Sequence, residues 1–200
     1  MPSIYIAGKI RDQRSTFRPL NIGVNPDEYI DHSPVRLDDF FDYTGPFAIG
    51  CDHRCYHTPE GHGAGKGGGG CNQDGPTAGV IYVNCIEQIR KADFFLAWID
   101  SLDCFGTIVE IGYAHGLDLI KPRVFIAFDQ ALGEDAIKNF WFVSEFGENL
   151  GALESVNQAL DSIRNRVLVE QADIEIYDLH KLLDSTRKTE DNDVPFTRFS

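Results

Sequence analysis

Apolar and polar positions follow two regimes along this chain: an irregular stretch over 9–79 and regular patterning on either side of it. Ser3 to Ala7 is a short, β-rich apolar run that stops at Gly8, the pattern of a buried strand. Residues 9–42 are polar and broken by Pro19, Pro26 and Pro34, which predicts loops and one or two short helices. From 43 to 79 glycine, histidine and cysteine dominate, and a loop of that length in a compact domain is a lid, a binding loop or a disordered segment. Regular patterning resumes with a helix over Val83–Lys91 and a continuous apolar strand over Asp93–Ile99, as in a strand buried on both faces. A helix over Thr107–Leu117, a second buried strand over Arg123–Phe128 and a helix over 134–146 follow. Leu150, Leu153, Val156, Leu160, Ile163 and Val167 recur at three- and four-residue steps, the stripe of an amphipathic helix. Ile174 to Tyr177 reads as a last strand, followed by a short helix to Leu183 and a polar tail over 185–200.

Strands alternating with helices predict an α/β fold: a parallel sheet of about five strands with helices on both faces, in three layers. The expected organisation is a single domain over 1–184, interrupted by the insertion at 43–79. The 42% hydrophobic and 24% charged residues match an ordered globular chain. No apolar run approaches the roughly 18 residues that a membrane helix needs. The start Met1-Pro2-Ser3-Ile4 lacks the basic and apolar regions of a secretory leader, so the expected location is the cytoplasm. A net charge of −13 opposes a nucleic acid polymer as partner, because duplex binding requires cations against phosphates. A small anionic substrate needs only a cation or two and some helix N-terminal amides. Five cysteines, an odd number in such a chain, argue against a disulfide framework.

In parallel sheets ligands bind at the carboxyl ends of the strands. The strand Asp93–Ile99 runs there into Asp100-Ser101-Leu102-Asp103-Cys104-Phe105-Gly106-Thr107-Ile108-Val109-Glu110, which gathers three acids. Gly106 suits a tight turn and Thr107 suits a helix cap. Glu110 would then lie in the first turn, where the helix dipole favours an ionised carboxylate, the form a nucleophile needs. Thr107 and Glu110 equally spell a capping box, a purely structural role. Gly112, Ala114 and Gly116 keep the helix slim enough for a close approach.

Ile4-Tyr5-Ile6-Ala7-Gly8 resembles the first strand and loop of the nucleoside 2-deoxyribosyltransferase family. Ala92-Asp93, the apolar strand, Asp103, Gly106-Thr107, Glu110-Ile111-Gly112-Tyr113-Ala114 and Lys121-Pro122 resemble its central motif. The resemblance implies a flavodoxin-like (Rossmann-like) fold, a homo-oligomer with sites near subunit interfaces, and no metal or other cofactor. It makes Glu110 the nucleophile at the anomeric carbon and Asp103, or Asp100 in its place, the acid that assists base departure. The chemistry is coherent: a carboxylate stabilises an oxocarbenium-like transition state, and a second acid protonates the departing base. One departure stands out, since the family often carries an Asp eight residues before the one that opens the central strand, and here that position is Cys85. Gly8-Lys9-Ile10-Arg11 resembles the Gly-Ser-Ile-Arg loop of related nucleotide N-glycosidases, and Lys9 and Arg11 would pair with a 5′-phosphate or remain solvated loop cations.

Cys51, His53, Cys55, His57, His62 and Cys71 invite a zinc reading, but no second Cys pair at ligand spacing follows and no metal is assigned. A substrate lid is the sharper reading, with Tyr43, Phe47 and Tyr56 against a base or ribose. The glycine run fails as a P-loop because Gly67 stands where Ser or Thr is required. Trp98 is a core residue that also borders the expected pocket, and Phe140-Trp141-Phe142 is core or a subunit contact. The expected substrate is a nucleoside or nucleotide. Three functions remain open: a deoxyribosyltransferase or nucleoside/nucleotide N-glycosidase, an NAD-cleaving hydrolase, and a non-catalytic nucleotide-binding module.

Overall fold

The computed structural model describes residues 1–8, 34–46, 78–117 and 122–190, without the side chains of 35, 78–81 and 182–190. The chain divides into two compact units, Met1–Leu160 and Asp161–Ser200.

The first unit is built on a six-stranded sheet in the order β2-β3-β1-β4-β5-β6. Its strands are β1 (Ser3–Ala7), β2 (Val35–Arg36), β3 (Asp42–Gly45), β4 (Phe94–Ile99), β5 (Arg123–Asp129) and β6 (Glu148–Leu153). All neighbours run parallel except the two-residue β2, which is antiparallel to β3. Counted among themselves, the five parallel strands have the order 2-1-3-4-5 of the flavodoxin-like, Rossmann-like three-layer fold. Helices α1 (Ala78–Lys91), α2 (Phe105–Gly116) and the short α3 (Glu134–Lys138) join successive strands, and α4 (Val156–Glu190) follows β6.

Burial explains the apolar runs. β1, β4 and β5 are central strands, and Ile4 to Ala7, Phe95 to Ile99 and Phe125 to Phe128 are almost fully enclosed. Alternation sends successive side chains to opposite faces. Tyr5, Ala7, Phe95, Ala97, Ile99, Val124, Ile126 and Phe128 share one core with Ile89 and Ala92 of the α1 end and with Ile111 and Ala114 of α2. The Tyr5 and Phe95 rings stack there, with centroids 5.6 Å apart. At the amino ends of the strands, Asp93 Oδ2 accepts from the Ser3 amide (2.8 Å) and hydroxyl (2.9 Å). The Asp93 amide donates back to Ser3 O at 3.0 Å.

Several sequence expectations change. Leu150 and Leu153 lie on β6 rather than on the amphipathic helix, which begins at Val156. β6 is an edge strand with only partial burial, so its apolar positions do not alternate cleanly and its period is ambiguous. Ile174–Tyr177 is not a strand. No Gly or Pro interrupts 156–190, and α4 runs through it to Glu190, into the expected tail. The helix expected over 134–146 is α3, a run of three-residue backbone closures through Phe140 and Trp141, and a 3₁₀ turn over Val143–Phe146. The three consecutive aromatics at 140–142 lose rotamer freedom in a continuing α-helix. Phe140 is buried, whereas Trp141 and Phe142 are exposed. Tyr43, counted with the 43–79 stretch in the sequence, belongs to β3, and α1 begins at Ala78, ahead of the expected Val83, while 47–77 lie outside the described residues. No helix among the described residues is long and apolar enough to cross a membrane.

Candidate functional site

A buried tyrosine needs a partner for its hydroxyl, and Tyr5, fully enclosed in the middle of β1, finds one on α2. Its hydroxyl donates to Glu110 Oε1 at 2.7 Å. Cys85, on α1, packs against the same core and interacts with the Tyr5 hydroxyl and the Glu110 carboxylate. Three elements thus bring one phenol, one thiol and one carboxyl together.

This setting controls the charge states. Burial pushes the Glu110 carboxyl from 4.5 up to about 7, against the bond from Tyr5, which favours ionisation and pulls the other way. Burial is also the main cause that lifts the Cys85 thiol to about 11, with the Glu110 charge adding to it. Tyr5 is held well above 10.0 by burial and then by the neighbouring Glu110 charge. Near neutral pH the thiol and phenol therefore carry their protons, and Glu110 is the member of the trio that changes charge.

The capping reading of Thr107 and Glu110 does not hold. α2 begins at Phe105 with Cys104 at its cap position, without a side-chain cap bond. Thr107 is thus the third helical residue, and its buried hydroxyl has no hydrogen-bond partner among the described residues. Glu110 sits in the second turn, beyond the reach of the terminal dipole. The expectation that the dipole would favour its ionised form is replaced by the opposite shift, caused by burial. Gly106 lies inside the first helical turn and makes no tight turn. A Cβ at Gly106, Gly112 or Gly116 would meet nothing within 4 Å, so no described neighbour approaches the helix at these glycines.

The remaining candidates scatter. Asp100 follows β4 directly and is half-buried, and Asp103 is exposed in the turn before α2. Both therefore lie at the carboxyl end of β4, as expected. Gly8 is buried at the end of β1, and Lys9 and Arg11 lie outside the described residues. Trp98 is buried but departs from the expected pocket role: alternation along β4 turns it away from the face that holds Phe95, Ala97 and Tyr5. Tyr43 is not a lid residue. It is fully buried on β3, and its hydroxyl donates to Pro46 O at 2.6 Å. The histidines and cysteines of 51–71, with Phe47 and Tyr56, lie outside the described residues. Among the described residues no cluster of three potential metal ligands occurs.

Tyr5 is the functional candidate that sequence reasoning passed over. Its signal was present: a phenol in the middle of an otherwise aliphatic buried strand requires a polar partner across the core.

No family model matches this chain, and no curated protein matches it. A solved structure, a conserved protein from Enterococcus faecalis V583, aligns over 83% of this chain and 99% of its own with 18% identity and a TM-score of 0.46.

Proposed function

We propose that this protein is an enzyme of N-glycosidic bonds in nucleosides or nucleotides, with Glu110 acting at the anomeric carbon of the sugar. The observation that carries this reading is the Tyr5–Glu110 hydrogen bond, 2.7 Å long, around a carboxyl whose proton affinity lies near 7. A carboxyl poised at working pH is characteristic of reacting groups.

In this scheme Tyr5 engages Oε1 and leaves Oε2 to attack. A bond forms between Glu110 Oε2 and the anomeric carbon as the carbon–nitrogen bond breaks. The electron pair leaves with the base, which takes a proton from Asp103 or Asp100 at the end of β4. An incoming base, giving transfer, or water, giving hydrolysis, then attacks the same carbon, returns a proton to that aspartate and displaces the Glu110 carboxylate as the ester bond breaks. Splitting the displacement in this way replaces one difficult step with two easier ones. The Tyr5 hydroxyl stabilises the ionised form of Glu110 and orients its carboxylate. Cys85, neutral where the resembled family often carries Asp, adds no second negative charge beside the nucleophile.

The test is chromatographic. Purified protein is incubated with deoxyribonucleosides, ribonucleosides, their 5′-monophosphates and NAD, each with and without free adenine or cytosine, beside the Glu110→Ala variant. New nucleoside that appears only with added base identifies a transferase. Free base without an acceptor identifies a hydrolase, and the preferred substrate settles the phosphate and NAD questions. Absence of turnover by the wild type on every member defeats the proposal. A second reading, a non-catalytic nucleotide-binding module, draws on the complete burial of Tyr5, which lets the phenol–carboxyl pair serve packing alone. Nucleotide binding without turnover, unchanged in Glu110→Gln, supports that reading instead.

A further inference from the structure

Hydroxyl groups in the first unit differ from one end of the sheet to the other. At the amino ends of the strands, the Ser3 hydroxyl donates to Asp93 Oδ2 at 2.9 Å. At the carboxyl ends lie the hydroxyl oxygens of Thr44, Ser101 and Thr107, each enclosed and each without a hydrogen-bond partner among the described residues. Thr44 is the last residue but one of β3, Ser101 stands two residues beyond β4, and Thr107 is the third residue of α2. An enclosed polar group that bonds to nothing opposes folding, and proteins keep such groups where something outside the chain completes the bond. These three gather at the end of the sheet where parallel α/β folds take ligands.

Thr107 is the one whose place defines what the ligand must offer. It is 2% exposed. Thr107, Ile111 and Ala114 are the buried residues of α2, spaced by four and three, so Thr107 lies on the side of the helix that packs on the sheet. A helical threonine commonly returns its hydroxyl to the carbonyl four residues back. For Thr107 that residue is Asp103, in the turn ahead of the helix, and the bond is not made. Glu110 follows three positions later, so the two side chains are neighbours, about 5–6 Å apart at Cβ. Thr107 is the member of the pair nearer the strand carboxyl ends. A Cβ on the adjacent Gly106 would meet nothing within 4 Å, so the first turn of α2 is open beside it.

A pentose attacked by Glu110 at its anomeric carbon carries ring hydroxyls one and two carbons farther round. Such a hydroxyl donates and accepts, as threonine's does, so the two satisfy each other in either sense. A phosphate at the same place would stand against the Glu110 carboxylate and be repelled. We propose that Thr107 holds a hydroxyl of the pentose ring and that the protein selects its sugar by that group. The inference rests on the reading of Glu110 as the group that acts at the anomeric carbon. A site that encloses an unpaired hydroxyl in advance favours the substrate that pairs it and rejects the analogue that leaves it unpaired.

The test uses the full chain and the ribonucleoside of the base that it releases fastest, beside the 2′-deoxy and 3′-deoxy analogues of that nucleoside. The wild type is expected to disfavour the analogue that lacks the recognised hydroxyl by about 10- to 100-fold in kcat/KM, and the analogue that suffers identifies the hydroxyl. Thr107→Val, of the same shape, is expected to erase that preference, and Thr107→Ser to restore it. Ligand-free Thr107→Val is expected to unfold at a higher urea concentration than the wild type, because it no longer encloses an unpaired hydroxyl. A threonine that serves only the fold would leave the variant weaker instead. A wild type indifferent to both hydroxyls, a preference kept by Thr107→Val, or a urea midpoint that falls overturns the inference while the reaction at Glu110 stands. No release of any base by the wild type removes the reaction and this inference with it.

Discussion

Replacement of Glu110 by Gln isolates the energetic cost of a half-buried carboxyl packed against the core. The carboxyl is moved from 4.5 to about 7 in the folded chain. Each tenfold change in proton affinity corresponds to about 1.4 kcal/mol, so the native state disfavours ionised Glu110 by roughly 3 kcal/mol relative to the unfolded chain. The sign follows from proton counting: between pH 4.5 and about 7 the native state holds a proton that the unfolded state has released. Stability from this group is therefore complete below pH 4.5 and declines until the pH passes about 7. Glutamine is neutral throughout and still accepts from the Tyr5 hydroxyl. Urea unfolding of both proteins at pH 4 and pH 8.5 separates this effect from all other titrations, which cancel in the difference. The variant should gain on the wild type by roughly 3 kcal/mol across that interval. Parallel stability–pH curves for the two proteins would refute the reasoning, because they would mean that Glu110 is solvated and its affinity ordinary.

Tyr5→Phe removes the donor that favours ionised Glu110. The carboxyl should titrate above about 7, and the acidic limb of any activity profile should move to higher pH by roughly one to two units, the worth of a hydrogen bond to a charged group. The same shift should be visible in a carbon-detected NMR titration of Glu110 itself. Cys85, pushed to about 11, should alkylate with iodoacetamide at pH 8 roughly 100-fold more slowly than an unhindered thiol, as measured by mass spectrometry of the peptide. Gly45 has a φ of 144°, and a Cβ there would stand 2.0 Å from Gln88 Oε1 and 3.2 Å from Tyr5 Cε2. Gly45→Ala should therefore destabilise the fold by about 2 kcal/mol or more, read as a lower denaturation midpoint.

Much of the sheet was legible because its central strands are enclosed on both faces and therefore spell continuous apolar runs. Phe94–Ile99 and Arg123–Asp129 lie within a residue of their expected ranges. The edges were not legible. At β6 partial burial leaves no clean period, and in α4 the alternation Ile174-Glu175-Ile176 imitates a strand while the absence of breakers keeps the helix intact. At the site, Glu110 was found from its neighbours in sequence, but its environment was misjudged. The capping-box spacing starting at Thr107 suggested a first-turn carboxylate, whereas α2 starts two residues earlier and places it deeper, against β1. The convergence of Tyr5, Cys85 and Glu110 joins residues up to 105 positions apart, and no local pattern reports that.

The clamp between Ser3 and Asp93 has a meaning beyond its few hydrogen bonds. It lies at the amino ends of β1 and β4 and fixes which residue stands beside which: Ile4 with Phe94, Tyr5 with Phe95. Side chains on a strand alternate between faces, so a slip of β1 by a single residue would carry its whole hydrophobic set to the other side of the sheet. Ile4 or Ile6 would then face α2, and the only phenol on β1 would point away from Glu110. The clamp thus acts as an alignment pin. A serine hydroxyl and an aspartate at the amino ends of two central strands decide whether a carboxyl in the second turn of α2 receives its proton-bearing neighbour.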